Sequence, residues 1–131
     1  MSKQLTKKQM KALRKAQQGE VDAVFMYKRL AKRVKTLEEM EAFVRLAKDE
    51  ARHAEVFHAY TGKDLRPIPV KGIMVPLMYR TLGKKKVFPI IAKGEYDAAD
   101  KYKHIISDFP EVEEVMNDET HHGDAVMGLL K

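Results

Sequence analysis

Two segments of this chain set a carboxylate and an imidazole one helical turn apart: Asp49-Glu50-Ala51-Arg52-His53 and Asp118-Glu119-Thr120-His121-His122. On an α-helix, residues three apart project from the same face. Glu50 with His53, and Glu119 with His122, can therefore each bind one side of a metal ion. A single Glu-x-x-His arises often by chance. Here each copy also trails a matching upstream element. The first is Gly19-Glu20-Val21-Asp22-Ala23 with Tyr27-Lys28, and the second is Gly94-Glu95-Tyr96-Asp97-Ala98 with Tyr102-Lys103. The chain reads as two copies of one helix pair, and each pair supplies Glu, Glu and His.

Four helices must position these groups. Thr6-Lys7-Lys8-Gln9 is a capping box that opens the first. Leu13, Ala16, Val24, Tyr27, Ala31 and Val34 recur at helical spacings and carry it to about Lys35. Thr36-Leu37-Glu38-Glu39 is a second capping box. Met40, Phe43, Ala47, Glu50, His53 (or Ala54) and Phe57 form the inner stripe of that helix, and Gly62 is its stop. Pro67, Pro69 and Pro76 then read as a crossover, with a short helix from about Leu77 to Leu82 before Gly83. A third long helix is expected over Val87–Ser107, with Pro89 in its first turn. Asp108-Phe109-Pro110-Glu111 makes the last turn. Val112, Val115, Glu119, His122, Val126 and Leu129 form the fourth helix's inner stripe.

Antiparallel helices bring residues level when they are equally far from the turn. Glu20 and Glu50 have their midpoint at Lys35, beside the second capping box. Glu95 and Glu119 have theirs at Ser107, at the other turn. Each hairpin thus sets its two glutamates face to face, ~22 Å and ~18 Å from the turn at ~1.5 Å per residue. Six ionisable groups on inward stripes would be strongly destabilising in a dry core. Four carboxylates match two divalent cations in charge. Bridging and terminal carboxylates with one imidazole per metal suit iron or manganese better than closed structural zinc. One Glu from each of two helices and Glu-x-x-His from the other two is the arrangement of di-iron carboxylate bundles. Asp49 and Asp118 precede the inner glutamates in both copies. Each is expected to accept the Nδ1–H of a histidine on the partner helix.

The composition narrows the field. At 131 residues, 44% hydrophobic and 34% charged, the chain fits one all-α domain with a real core. It has no cysteine, which excludes disulfides, thiolate zinc, iron–sulfur clusters and four-cysteine iron within it. A reducing cytoplasm is the expected location. The stretch Met1–Lys8 has no apolar core and does not read as a secretory signal. The longest apolar run, Gly72–Tyr79, is far below the ~20 residues a membrane helix needs. The net charge of +6 is spread along the chain and reads as a solubilising surface. No basic stripe interleaved with aromatics marks a nucleic-acid partner.

Gly-Glu-x-x-Ala with Tyr seven residues after the Glu, then Asp-Glu-x-x-His, all repeated, resembles the ferritin-like superfamily. The rubrerythrin di-iron domain is the nearest pattern, over most of the chain. The resemblance implies a ferritin-like four-helix bundle of two hairpins joined by the Pro-rich crossover. It implies two iron ions held by Glu20, Glu50, His53, Glu95, Glu119 and His122, with Tyr27 and Tyr102 hydrogen-bonded to ligating carboxylates. It also implies reaction with H2O2 or O2. Two features depart from the family. Ala98 stands where rubrerythrins carry a further glutamate used in a ligand shift, which implies a more symmetric site and slower peroxide turnover. The sequence has no cysteine to hold the four-cysteine iron of the family's rubredoxin domain, which implies that an external donor such as a rubredoxin or flavoprotein supplies electrons. The alternative is a non-catalytic iron-handling protein.

The remaining candidates read as surface or packing. Glu55 and His58 form a third Glu-x-x-His, off the inner stripe and without a repeat partner. His104 is isolated, His121 lies ~100° out of phase with His122, and Asp22 and Asp97 are expected to be exposed. The eight methionines suit packing better than a copper site. A long crossover between similar hairpins can close within one chain or exchange between two, so a homodimer is expected.

Overall fold

The computed structural model describes residues 4–131. Residues 1–3, which open the stretch read as lacking a signal, lie outside them. The described chain is all helical, with five helices and no strand: α1 Lys7–Ala31, α2 Leu37–Thr61, α3 Val70–Leu82, α4 Lys84–Tyr102 and α5 Val112–Gly128. No helix among the described residues is long and apolar enough to cross a membrane.

Both capping boxes form. Thr6 and Gln9 exchange side-chain-to-backbone hydrogen bonds at the start of α1, as do Thr36 and Glu39 at the start of α2. The second box also shortens α1. Thr36 must be extended (φ −115°, ψ 154°), and Glu39 Oε1 accepts from both Lys35 and Thr36 N–H at 3.3 Å. The chain therefore leaves the helix at Ala31 rather than near Lys35. Glu39 is buried, its other oxygen 3.2 Å from Lys84 Nζ, and Met40, expected on the inner stripe, is 38% exposed. Gly62 ends α2 in the left-handed region (φ 64°), where a side chain would be strained.

The proline-rich segment differs most from expectation. Residues 62–69 are irregular and are tied to α1: Gln17 donates to the Lys63 carbonyl, Gln18 to the Arg66 carbonyl, and Ile68 N–H to Asp22. Asp22 is thus half-buried rather than exposed, whereas its counterpart Asp97 is exposed and pairs with Lys93 at 2.8 Å. A thirteen-residue helix follows, with Pro76 inside it. Proline has no N–H for the carbonyl four residues back, here Gly72. That carbonyl instead accepts from Arg29 Nε at 2.8 Å. Gly72 itself lies against Phe25, where a Cβ would overlap the ring.

α4 starts directly after Gly83 (φ 81°), three residues earlier than expected, which places Pro89 in its second turn. It ends at Tyr102 rather than Ser107. Residues 103–108 form turns that seat Phe109 in the core.

α1 packs chiefly on α2 and α4 on α5, while α2 meets α5 and α3 lies across α1 and α4. The apolar core is in two parts. One includes Tyr27, Leu30, Phe43, Phe88 and Val126. The other includes Leu13, Phe57, Tyr102, Phe109 and Val115. Along every long helix a buried acidic or histidine residue lies between the two, so a polar layer crosses the middle of the bundle.

Candidate metal centre

That layer contains Glu20 from α1, Glu50 and His53 from α2, Glu95 from α4, and Glu119 and His122 from α5. All six are at most 5% exposed. The spacing explains the convergence: each Glu-x-x-His pair lies on the inner stripe of its helix, and each hairpin turn sets a second glutamate level with it.

The six side chains form two overlapping groups. Glu20, Glu50, His53 and Glu119 make one, and Glu50, Glu95, Glu119 and His122 the other; the donor atoms of each group lie within 4.8 Å of one another. Glu50 and Glu119 belong to both. His53 Nδ1 lies 2.9 Å from Glu20, 3.1 Å from Glu50 and 3.1 Å from Glu119. His122 Nδ1 lies 3.2 Å from Glu50, 3.2 Å from Glu119 and 3.7 Å from Glu95. The two imidazoles stack with centroids 5.5 Å apart.

Asp49 and Asp118 meet the histidines of the opposite helix, as expected, but at the other nitrogen. His122 Nε2 is 2.9 Å from Asp49, and His53 Nε2 is 2.8 Å from Asp118. Both Nδ1 atoms are left facing the carboxylates. Arg52 was not foreseen. Its guanidinium lies 2.9 Å from Asp118 and 3.5 Å from Asp49, so one cation clamps both aspartates. The i,i+3 spacing of Asp49 and Arg52 was its only sequence signal. His121, the repeat counterpart of Arg52, is exposed, as are His104 and Glu55, while His58 pairs with Asp64 at the surface.

The tyrosines differ. The Tyr27 hydroxyl donates to Glu95 Oε1. Tyr102 makes no hydrogen bond to a carboxylate among the described residues; its ring packs on Phe57 at 5.4 Å. Ala98 lies half-buried beside the layer and offers it no donor.

The electrostatics are those of crowded, buried carboxylates around two imidazoles. Burial, then the neighbouring Glu50, pushes the Glu20 carboxyl well up. Burial lifts Glu95 to about 7, against the lowering effect of His122. Burial would lower His53, but hydrogen bonds to Glu119, Glu20 and Glu50 raise it to about 12. The same balance, with Glu119, Glu50 and Glu95 as partners, raises His122 strongly. Burial, then Glu95, pushes the Tyr27 phenol well up.

These residues fit a pair of divalent cations. Glu50 Oε1, Glu95 Oε2, Glu119 Oε1 and His122 Nδ1 are buried with no hydrogen-bond partner among the described residues. Buried carboxylate oxygens without a well-placed donor are costly, and a cation among these three would offset that cost. Hard carboxylate oxygens with one imidazole per group suit iron or manganese.

No curated protein and no solved structure matches the chain. The rubrerythrin family model matches residues 11–72. That span holds Glu20, Tyr27, Asp49, Glu50 and His53. The match is consistent with a ferritin-like, rubrerythrin-type di-iron domain in this chain.

Proposed function

We propose that residues 1–131 form one ferritin-like unit in which α1–α2 and α4–α5 are repeated hairpins and the segment containing α3 is the crossover. Its polar layer holds two iron ions, with manganese the alternative. Glu50 and Glu119 would be shared between the metals; Glu20 with His53 and Glu95 with His122 would be the terminal pairs. A pair of ferrous ions supplies two electrons, the number that takes H2O2 to two waters with two protons, or O2 to peroxide. The protein's part is to orient and exclude. Asp49 and Asp118 fix the imidazole rings through Nε2, Tyr27 holds Glu95 by its second oxygen, and the two apolar plugs keep bulk water from the layer above and below. Re-reduction falls to an external donor, a rubredoxin or flavoprotein.

The observation that carries this reading is the sharing of Glu50 and Glu119 between two donor groups with orphaned buried oxygens. Elemental analysis of protein purified without added metal should find about two metals per chain, lost in His53→Ala and His122→Ala. Full occupancy in both variants would reject the ligand set. The anaerobically reduced, iron-loaded protein should be oxidised at both irons by stoichiometric H2O2 or O2 within milliseconds to seconds, more slowly in Glu95→Ala. Iron that stays ferrous for minutes with either oxidant would leave an iron-handling protein instead.

A further inference from the structure

The bundle is open on one side. α1 packs on α2, α2 meets α5 and α5 packs on α4, but α1 and α4 stand apart across a cleft of roughly 840 Å³. Glu20, Glu50, Glu95 and Glu119 form its floor. Its walls are largely apolar, with Ala16, Ala23 and Met26 on α1, Val75 on α3, and Ile91 and Ala98 on α4. Small residues recur at equivalent places of the two repeats, Gly19 with Gly94 and Ala23 with Ala98. A Cβ at either glycine would meet nothing within 4 Å. At the floor, Glu50 Oε1, Glu95 Oε2 and Glu119 Oε1 are buried and unpartnered. Clefts of ~300–1,000 Å³ with apolar walls suit organic ligands; H2O2 needs no such volume.

The mouth has a sign. The crossed pairs His53–Asp118 and His122–Asp49 make α2 and α5 antiparallel, so α1 and α4 are antiparallel as well. Lys15, five residues before Glu20, then stands level with Lys101, six residues after Glu95. Lys71 lines the cleft from α3. The lysine ion pairs among the described residues are Lys84–Glu39, Lys93–Asp97 and Lys103–Asp100, so these three cations are unpaired. From the level of Lys15 to that of Met26 the cleft runs roughly 16 Å at ~1.5 Å per residue.

We propose that this cleft binds an elongated apolar carboxylate of medium chain length, its head between Lys15 and Lys101 and its chain laid across the floor toward Met26 and Ile91. This rests on the metal reading of the floor, because four bare carboxylates would repel an anion.

Calorimetric titration of the manganese-loaded full chain with dodecanoate, and with dodecyltrimethylammonium as the cation of equal chain length, tests it. Dodecanoate should bind saturably, one per chain and at least about ten-fold more tightly than the ammonium. Gly94→Leu, and separately Gly19→Leu at the equivalent position, should fill the cleft and weaken binding at least about ten-fold, with metal content and thermal melting kept. Lys15→Glu with Lys101→Glu should remove the preference for the anion. Full metal with no saturable dodecanoate binding, equal binding of both head groups, or binding untouched by both leucines would overturn the proposal while leaving the metal centre intact. A chain that holds no metal would overturn the centre and the proposal with it. A dimer that Gly94→Leu splits, with no dodecanoate uptake by the parent, would make the cleft a seat for a second copy and overturn it too.

Discussion

Which imidazole nitrogen faces the carboxylates decides which proton a metal must displace. Both Nδ1 atoms point inward and both Nε2 atoms are held by aspartates of the opposite helix. A Glu-x-x-His spacing fixes the helix face of the ring but not its rotation about the Cβ–Cγ bond, so the sequence indicated the Asp–His pairs and not the nitrogens. Asp118 is more deeply placed than Asp49 and also binds Arg52. Burial pushes its carboxyl up, yet the hydrogen bonds from His53 and Arg52 outweigh this and hold it below the usual range. Asp118→Asn should therefore weaken metal binding by ~10–100-fold, the usual cost of losing a histidine's orienting partner; competition against a chelator of known affinity measures it. The tyrosines give a second residue-scale expectation. Tyr27→Phe leaves Glu95 Oε1 buried without its donor and should cost ~1–3 kcal/mol in the metal-free protein. Tyr102→Phe removes no carboxylate bond and should cost less. Urea unfolding of both variants decides the matter, and equal losses would contradict the asymmetry. The family resemblance implies equal roles for Tyr27 and Tyr102. That equality fails because Tyr102 sits at the very end of α4, with its ring against Phe57.

At the scale of elements, what is local was legible and what is distant was not. Both capping boxes and the Gly62 stop are decided within four residues, and all three form where the sequence places them. α3 is different. Its proline reads as a helix breaker, yet the acceptor that Pro76 abandons is satisfied by Arg29, forty-three residues earlier in the chain. The end of α4 was likewise missed, because the turns after Tyr102 serve to bury Phe109 against Tyr60 rather than any local signal. The seat of α3 makes a test. Gly72→Ala would drive a Cβ into the Phe25 ring, over which Arg29 is stacked at 5.6 Å, so the ring cannot swing aside without disturbing the same arginine. It should destabilise by ~1–3 kcal/mol through overpacking. Gly94→Ala, with open space at its Cβ, should be neutral or mildly stabilising through helix propensity. Thermal melts of the two variants should move apart; a shared direction would mean that α3 does not dock on α1 as described.

For the whole molecule, the outer face of α3 leaves Val70, Ile73, Met74 and Leu77 exposed in one helical stripe. A homodimer is the expected assembly, and a monomer mass by light scattering at micromolar concentration would reject it. The polar layer gives a sharper expectation, in the pH dependence of stability. In the metal-free fold, burial raises Glu95 from 4.5 to about 7, so the folded chain holds more protons than the unfolded one between those values. Its stability contribution is present at low pH and is lost as pH climbs through the folded value. His53, opposed by burial but raised from 6.5 to about 12 by Glu119, Glu20 and Glu50, has the same sign. Its contribution is full below 6.5 and fades as pH rises toward 12. Both groups therefore tilt the metal-free protein toward lower stability from about pH 5 to pH 8. In the loaded protein the same carboxylates and Nδ1 atoms would face a cation instead of protons. Protons then compete with the metal, so loading gains with rising pH. Melting temperatures of chelator-treated and loaded protein should accordingly diverge, with the gain on loading growing across that range and buffered calorimetry showing proton release on loading. Parallel pH profiles for the two forms would mean that the cation does not sit on this layer, whatever the protein binds elsewhere.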